Sequence, residues 1–276
     1  MATAPPPSWN PVVMVRQSLE DWLEDIGGVF MFALEIFRGV ARGAGRSTFL
    51  GVAYTVGVNS MPVVAITGLF IGMVLAVQSY SQFAALGMAT RLGSVINISV
   101  IRELGPVLAA TMLAGRVGSS MAAELATMKI TEQVDALACL GVNPTQFLGA
   151  PRLLACVLLI PLLTVLANFV GILGGAFVCT RIYHVEPFHY WHNSQGLVGM
   201  YDLVAGLIKP IIFGGTIAVI SCYRGLHSEP GAEGVGRAAT RAFVAGFIAI
   251  LVLDFFLAML LNQIHAQLWP SARGVI

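Results

Sequence analysis

Five long apolar runs constrain the fold of this chain more than any other feature of its sequence. They cover residues 52–80, 102–124, 153–179, 204–222 and 238–261. A helix of about 20 apolar residues is long enough to cross the hydrocarbon of a bilayer, and it satisfies the backbone polar groups within the segment itself. The sequence therefore predicts an all-α membrane protein with five transmembrane helices.

The composition agrees with this class. Hydrophobic residues make up 57% of the 276 residues and charged residues 11%, whereas a soluble domain has about 25% charged residues. The formal net charge of +1 gives no indication of nucleic-acid binding. The four cysteines occur singly, without a Cys-x-x-Cys pair, which favours packing roles over redox or metal chemistry.

The chain divides into four segments around the apolar runs. Residues 1–11 form a Pro-rich tail that we expect to be disordered, and residues 12–46 form an amphipathic helix and a basic collar. Residues 47–262 form the five-span domain, and residues 263–276 form a second tail. The amphipathic segment is too charged to span, so we expect it to lie in the headgroup plane; a soluble packing helix is the alternative. Its predicted anchors and collar are Trp9, Trp22, Arg38, Arg42 and Arg46.

Local signals refine the first span and the segment after it. Pro62 predicts a kink, and Gly68 with Gly72 predicts a close approach of another helix. Residues 81–101 are mixed and punctuated by glycine, so we expect a loop with a short or re-entrant helix there.

Lys and Arg residues set the expected orientation. With the amino terminus inside the cell, ten of the fifteen Lys and Arg residues fall on the cytoplasmic half and five on the outer half. Five spans then put the carboxyl terminus in the periplasm.

The polar stretch at residues 125–150 lies between the second and third spans. Thr131 is the expected N-cap of a short helix, Gly141 its expected end, and Asn143 with Pro144 the expected start of the next element. We predict a cytoplasmic helix-turn-helix with about 14 residues in each arm. The residues expected to carry coupling to a partner are Glu124, Lys129, Glu132, Asp135 and Gly141.

Two strings in the sequence resemble known transporters. DALACLGVNP followed by APRLL resembles the EAA coupling loop of ABC-transporter permeases, with Asp135 at the Glu position and Gly141 at the expected step. RELGPVLAATMLAGRVGSSMAAELATMKITEQVDAL, with the earlier GLFIGMVLAVQSY and the later GRAATRAFV and LDFFL, resembles the MlaE (YrbE) permease family over residues 20–262.

That resemblance implies a function. It implies a homodimeric inner-membrane permease of an ABC system that moves phospholipids or related lipids between the inner and outer membranes. It also implies a cytoplasmic ATPase dimer, which binds ATP and Mg²⁺ and receives the coupling loop in a groove, and a periplasmic MCE-domain lipid-binding protein. The chain itself would be non-catalytic and without a cofactor of its own.

Charged residues within the spans are the second candidate site. A charge at the centre of a span costs about 2.5–3.5 kcal/mol on insertion scales, so Arg102, Glu103, Lys209 and Asp254 need a partner or a wet cavity. One interpretation is mutual neutralisation, with Arg102 paired to Glu103 or Lys209 to Asp254. The other, favoured by the resemblance, is a polar lip on a lipid cavity, with Arg102 and Lys209 on the headgroup phosphate. Gln78 and Tyr80 either line that cavity or lie at the interface.

Other motifs are weaker. The string GVARGAGRS at residues 39–47 lacks the spacing and the lysine of a phosphate-binding P-loop, and no HExxH or GxSxG motif occurs. His184, Glu186, His189 and His192 have a spacing that could hold a metal, but their aromatic neighbours favour an interfacial loop, so we predict no metal site.

Two other functions fit the same residues less well. A proton-coupled secondary carrier would relay protons through Glu103, Lys209 and Asp254, although the internal repeats common in such carriers are not visible. A non-transporting membrane scaffold would anchor a soluble enzyme instead.

Overall fold

The computed structural model describes residues 11–43, 46–88 and 91–268, which are almost entirely helical and contain no strand. Eleven α-helices follow one another along these residues: α1 (Pro11–Ala41), α2 (Arg46–Gly57), α3 (Met61–Ala85), α4 (Leu92–Ser99), α5 (Gly105–Leu113), α6 (Ser119–Ile130), α7 (Gln133–Cys139), α8 (Pro144–Phe177), α9 (Pro187–Leu197), α10 (Met200–Leu226) and α11 (Ala232–Leu268). The prediction of an all-α protein is confirmed.

Five continuous helical stretches are long and apolar enough to span a membrane. They are Thr48–Ala85, Leu92–Ile130, Pro144–Ile182, Met200–Leu226 and Ala232–Gln267. The prediction of five spans is confirmed, and each span is longer than its apolar run. At 1.5 Å per residue, 27 to 39 residues extend about 40–58 Å, so the helix ends project beyond a hydrocarbon core of about 30 Å. We call the end of the bundle that carries α7 the α7 end, and the opposite end the α9 end.

The first span is interrupted where proline predicted a kink. A 3₁₀ turn at Val58–Ser60 separates α2 from α3, and Pro62 lies in the first turn of α3. Proline is tolerated there because the first backbone N–H groups of a helix have no partner within the helix.

The prediction for residues 81–101 is confirmed in part, because the segment contains a short helix, α4. Helix α3 continues to Ala85, and α4 begins at Leu92 and runs without a break through a π-helical turn at Val100–Leu104 into α5. The second span therefore begins ten residues earlier than its apolar run, and the short helix α4 is part of that span. Gly93 does not mark a loop here. It makes room for a neighbouring side chain, because a Cβ at this position would lie 2.7 Å from the ring of Tyr190.

Helix α8 is the centre of the bundle and packs against α1, α2, α3 and α10. Its contact with α3 is backbone on backbone. A Cβ on Gly68 would lie 2.5 Å from the carbonyl oxygen of Ala167, and one on Gly72 would lie 2.6 Å from the carbonyl carbon of Gly171. The predicted close approach at these two glycines is confirmed, since only small residues allow this spacing.

Helix α1 packs with one face and exposes the other. Phe32 and Ile36 are buried, and Ile36 lies against Gly149 of α8. The opposite side exposes large apolar residues: Leu23, Ile26, Phe30, Met31, Leu34 and Phe37. The helix ends at Ala41, five residues before the predicted limit of its segment. Its position in the headgroup plane stays a prediction.

Several predictions fall outside the described residues. These are the tail at residues 1–10 with Trp9, the side chains of Trp22 and Arg46, and residues 269–276. The second tail was predicted to begin at residue 263, but α11 continues through that residue to Leu268.

Candidate functional site

The predicted intramembrane charges form an ionic cluster in which Lys209 is the buried centre. The Lys209 side chain is 1% exposed, and its ammonium contacts the carboxylate of Glu103. Its Nζ atom also lies 3.0 Å from Oδ1 of Asp254, an ion pair without hydrogen-bond geometry. Lys209 of α10 therefore joins the second and fifth spans through two carboxylates.

Arg102 forms the second half of the ionic cluster. Its guanidinium donates a hydrogen bond to Oδ1 of Asn262 and lies 3.7 Å from Asp202 and 3.8 Å from Glu103. The guanidinium also lies 5.5 Å from the centre of the Tyr201 ring, within cation–π range. Asp202 is held in place because its Oδ2 accepts the backbone N–H of Gly199, 2.9 Å away, at the start of α10.

A π-helical turn at Val100–Leu104 presents Arg102 and Glu103. The N–H of Gly105 donates to the carbonyl of Val100, five residues back, and Pro106 has no N–H with which to bond the carbonyl of Arg102. Such single π turns recur at functional sites. Gly105 also lets the helix approach α8, because a Cβ there would lie 2.8 Å from the amide carbon of Asn168.

Exposure divides the ionic cluster into a buried and an accessible part. The Glu103 side chain is 40% exposed and that of Arg102 is 25% exposed, whereas Lys209 is enclosed. The pairing of Lys209 with Asp254 matches the interpretation of mutual neutralisation, and Arg102 with Glu103 is the pair that a ligand can reach. A role of these residues in lipid binding stays a prediction.

Gln78 and Tyr80 lie apart from the ionic cluster. The Tyr80 ring stacks on Tyr183 with centroids 3.8 Å apart, and Gln78 is exposed near the end of α3. Within the described residues, neither side chain has a hydrogen bond to a member of the ionic cluster.

The connection between the second and third spans holds three of the predicted coupling residues, Glu132, Asp135 and Gly141. It contains one seven-residue helix, α7, which has no buried residue, so the prediction of two arms of about 14 residues is wrong. Thr131 is also not an N-cap: its hydroxyl donates back to the carbonyl of Thr127, and it closes α6. Glu132 stands at the start of α7 with a left-handed backbone, φ 59°. This sharp bend separates α6 from α7, which is the one helix of the connection.

The end of α7 agrees with the prediction. Gly141 has φ 76°, its N–H donates to the carbonyl of Ala138, and the N–H of Val142 donates to that of Leu137, which is the Schellman pattern. The side chain of Asn143 accepts the N–H of Gln146 and caps α8, with Pro144 in its first turn.

Contacts on both sides of α7 tie the connection to the spans. Glu124 of α6 pairs with Arg152 of α8 at 2.9 Å, although Arg152 is only 2% exposed. Nζ of Lys129 donates to the carbonyl of Ser228 at 2.9 Å. Of the predicted coupling residues, Glu124 and Lys129 thus serve contacts within the chain. Glu132 and Asp135 are exposed and have no ion pair within the described residues.

Sequence reasoning missed the partners on α10 and α11. Asp202 and Asn262 bind Arg102, but neither belongs to the quoted motifs. It also missed the double hydrogen bond from Arg224 to Asp25, which fastens α1 to α10. Arg152 belongs to the string APRLL of the first resemblance, but nothing in that string indicates that its side chain is buried.

The histidine-containing segment forms a short helix at the α9 end. His189 pairs with Glu186 at 3.3 Å, and His192 stacks on Phe188 with centroids 5.5 Å apart. Among the described residues, no three side chains are placed to ligate a metal. Tyr190 fastens α9 to α4 through a hydrogen bond of 3.2 Å to Asn97, and burial raises the pKa of Tyr190.

Comparison with known proteins identifies the family. The profile described as Permease MlaE matches residues 49–260. A probable ABC transporter permease protein of Synechocystis sp. is 39% identical over 249 residues, which cover 90% of this chain and 95% of the relative. The intermembrane phospholipid transport system permease protein MlaE of Haemophilus influenzae is 36% identical over 209 residues, 75% of this chain and 80% of the relative. A probable ABC transporter permease protein of Rickettsia typhi is 42% identical over 209 residues, 76% of this chain and 81% of the relative. The chain is a multi-pass membrane protein that belongs to the MlaE permease family.

Proposed function

We propose that this chain is the permease subunit of an ABC transporter that moves phospholipids between the inner and outer membranes. The observation that carries this proposal is the exposed helix α7, which follows Glu124 and Lys129 of the second span, and that span also holds part of the ionic cluster. The relative from Haemophilus influenzae, whose name describes intermembrane phospholipid transport, supports the choice of substrate.

The proposed orientation puts the α7 end in the cytoplasm. The amino terminus then lies inside, and the carboxyl terminus lies in the periplasm after five spans. Lys129, Arg152, Arg224, Arg237 and Arg241 fall on the cytoplasmic side, in agreement with the positive-inside rule.

The energy in this proposal comes from a separate cytoplasmic ATPase dimer, which binds ATP and Mg²⁺. Glu132 just before α7 and Asp135 within it are exposed carboxylates with no ion pair in the part of the chain that the structure describes, and they are available to its groove. Because Glu124 binds Arg152 and Lys129 binds Ser228, a push on α7 would reach α6, α8 and the turn after α10 together. The chain itself would carry out no ATP hydrolysis.

The lipid in this proposal meets the accessible edge of the ionic cluster. Arg102 donates to the headgroup phosphate, while Lys209, enclosed by Glu103 and Asp254, holds the spans in register. A second copy of the chain would cover α11, which leaves most of its apolar surface exposed. A periplasmic MCE-domain protein would receive or deliver the lipid at the α9 end.

Co-purification with the cognate ATPase tests the proposal. We expect the wild-type complex in nanodiscs to retain the ATPase and to move labelled phospholipid only with ATP. The double variant Glu132→Lys with Asp135→Lys should lose both properties, since it reverses the free charges of α7. The control Glu24→Lys, at an exposed carboxylate of α1, should keep them. Transport without ATP, or an unaffected charge-reversed complex, would contradict the proposal.

A proton-coupled carrier has one observation in its favour, the contact of Lys209 with two carboxylates inside the bundle. That mechanism requires lipid movement that follows a pH gradient in the absence of ATP. Lipid movement by the same complex, reconstituted in proteoliposomes with a pH gradient and without ATP, would distinguish the carrier from the ATP-driven permease.

A further inference from the structure

A polar pocket lies at the α7 end, where α10 turns into α11. It encloses about 30 Å³, enough for a few small polar atoms. Three guanidinium groups line it, from Arg224, Arg237 and Arg241, together with the Glu229 carboxylate and Ser228. The pocket is separate from the ionic cluster, which lies deeper in the second, fourth and fifth spans.

Ser228 is the first sign that the pocket is built for a ligand. The residue is 8% exposed, and its hydroxyl is buried with no hydrogen-bond partner among the described residues. Its backbone is held in place, because its carbonyl accepts Nζ of Lys129 at 2.9 Å. A buried hydroxyl without a partner costs about 1–3 kcal/mol, so an acceptor bound in the pocket would remove that cost.

The charges around the pocket leave an excess of positive charge. Glu229 is shared, since it binds Arg237 at 2.6 Å and Arg241 at 3.3 Å. Arg237 also pairs with Glu233, and Arg224 with Asp25. Lys129 is the fourth cation beside these three carboxylates, so one positive charge remains in excess. Arg237 and Arg241 are about half exposed, which leaves N–H groups free to donate to a bound anion.

The surface beside the pocket has the arrangement expected where a membrane protein meets lipid headgroups, with basic residues next to an apolar surface. An open hollow of about 500 Å³ shares Arg237 and Arg241 with the pocket and is also lined by Glu233, Gly236 and Thr240. From Phe243 to Leu260 of α11 the exposed side chains are apolar. A basic group one turn above an apolar surface is where the phosphate of a membrane lipid lies when its acyl chains run along the helix.

We propose that this pocket binds a phosphate group, with Arg237 and Arg241 as charged donors and the Ser228 hydroxyl as a neutral donor. The headgroup of an anionic membrane lipid and free inorganic phosphate share this chemistry, and the apolar surface next to Arg241 favours the lipid. The site does not depend on lipid binding at the ionic cluster, because none of its three proposed donors belongs to that cluster.

Binding to the full-length chain in neutral detergent tests the proposal. The probes are dioctanoyl phosphatidylglycerol, dioctanoylglycerol, which has the same chains without phosphate, and inorganic phosphate. Native mass spectrometry measures the dissociation constants. We expect phosphatidylglycerol to bind at least tenfold more tightly than dioctanoylglycerol. Arg241→Gln should weaken phosphatidylglycerol binding roughly tenfold, and Ser228→Ala about threefold without any change of charge. Arg181→Gln, an exposed arginine at the α9 end, should have no effect.

Each remaining outcome either supports or overturns the proposed phosphate site. Ser228-dependent binding of inorganic phosphate without binding of phosphatidylglycerol would support the phosphate site and identify the free anion as its ligand. Equal binding of the two lipids, or equal binding by the wild type, Ser228→Ala and Arg241→Gln, would overturn the proposal. Loss of the ATPase partner from Arg241→Gln with unchanged lipid and phosphate binding would also overturn it, since the surface would then be a protein-docking site.

Discussion

Nζ of Lys209 lies 3.0 Å from Oδ1 of Asp254 and also contacts Glu103, so one buried ammonium joins three membrane spans. A buried charge is stable only while its partners remain. The pairing therefore explains how Lys209 can be tolerated inside α10 at 1% exposure, and it leaves Arg102 as the cation of the ionic cluster that a ligand can reach.

Removal of one partner should cost more stability than removal of the pair. We expect Lys209→Met to destabilise the protein by about 3 kcal/mol, at the lower end for a broken buried pair, because the two carboxylates left behind are partly exposed. The double variant Lys209→Met with Asp254→Leu should recover part of that loss. Thermal unfolding in one detergent measures both. A double variant less stable than Lys209→Met alone would show that the pair does not act as a unit.

Replacement of Arg102 should weaken lipid binding specifically. In the proposed function this guanidinium donates to a phosphate, and a hydrogen bond to a charged group is worth about 1.5–3 kcal/mol. Arg102→Gln should therefore reduce the phospholipid that co-purifies with the protein at least tenfold, as measured by mass spectrometry. Arg91→Gln, an exposed arginine before α4, is the matched control. If both variants retain wild-type lipid, Arg102 does not contact the headgroup.

The glycine contact between α3 and α8 should not accept a methyl group. Gly72→Ala would put its Cβ 2.6 Å from the carbonyl carbon of Gly171, and overpacking of this kind costs about 1–3 kcal/mol. Gly51→Ala is the control, because a Cβ there meets nothing within 4 Å and alanine favours a helix by up to about 1 kcal/mol. The two variants should shift the melting temperature in opposite directions. Equal shifts would contradict the close packing of these helices.

The ion pair between Asp25 and Arg224 should hold α1 against the bundle. Both oxygens of Asp25 accept from the guanidinium, so Asp25→Asn should lower the hydrogen-exchange protection of α1 roughly tenfold. The charge swap Asp25→Arg with Arg224→Asp should restore part of that protection. Unchanged exchange in Asp25→Asn would mean that the apolar contacts of Phe32 and Ile36 alone fix the helix.

The sequence was sufficient for the number of spans and for the residues that end α7. Long apolar runs leave few alternatives to spanning helices, and Gly141, Asn143 and Pro144 have strong local preferences for helix ends. It was insufficient where a residue has two uses. Gly93 could have marked a loop, but it makes room for the Tyr190 ring. Thr131 could have capped the next helix, but it bonds back to α6.

The residues of the ionic cluster could be predicted from the sequence, but the ion pairs between them could not. An ionisable residue in an apolar run needs a partner, and that principle identified Arg102, Glu103, Lys209 and Asp254. Which of them pair depends on how the spans pack together and on the π-helical turn at Val100–Leu104. Asp202 and Asn262 come close to Arg102 only in the folded bundle, so the sequence alone could not assign them.

Labelling of the natural cysteines tests the central claim most directly, which is that α7 faces the cytoplasm and receives an ATPase. Cys139 at the end of α7 is exposed, whereas Cys156, Cys179 and Cys222 are buried. A membrane-impermeant maleimide should therefore label one cysteine in inverted vesicles and none in right-side-out vesicles. Cys139→Ser should abolish the signal, and the bound ATPase dimer should slow the reaction. Labelling of Cys139 in right-side-out vesicles, or a rate in inverted vesicles that the ATPase does not change, would contradict this account.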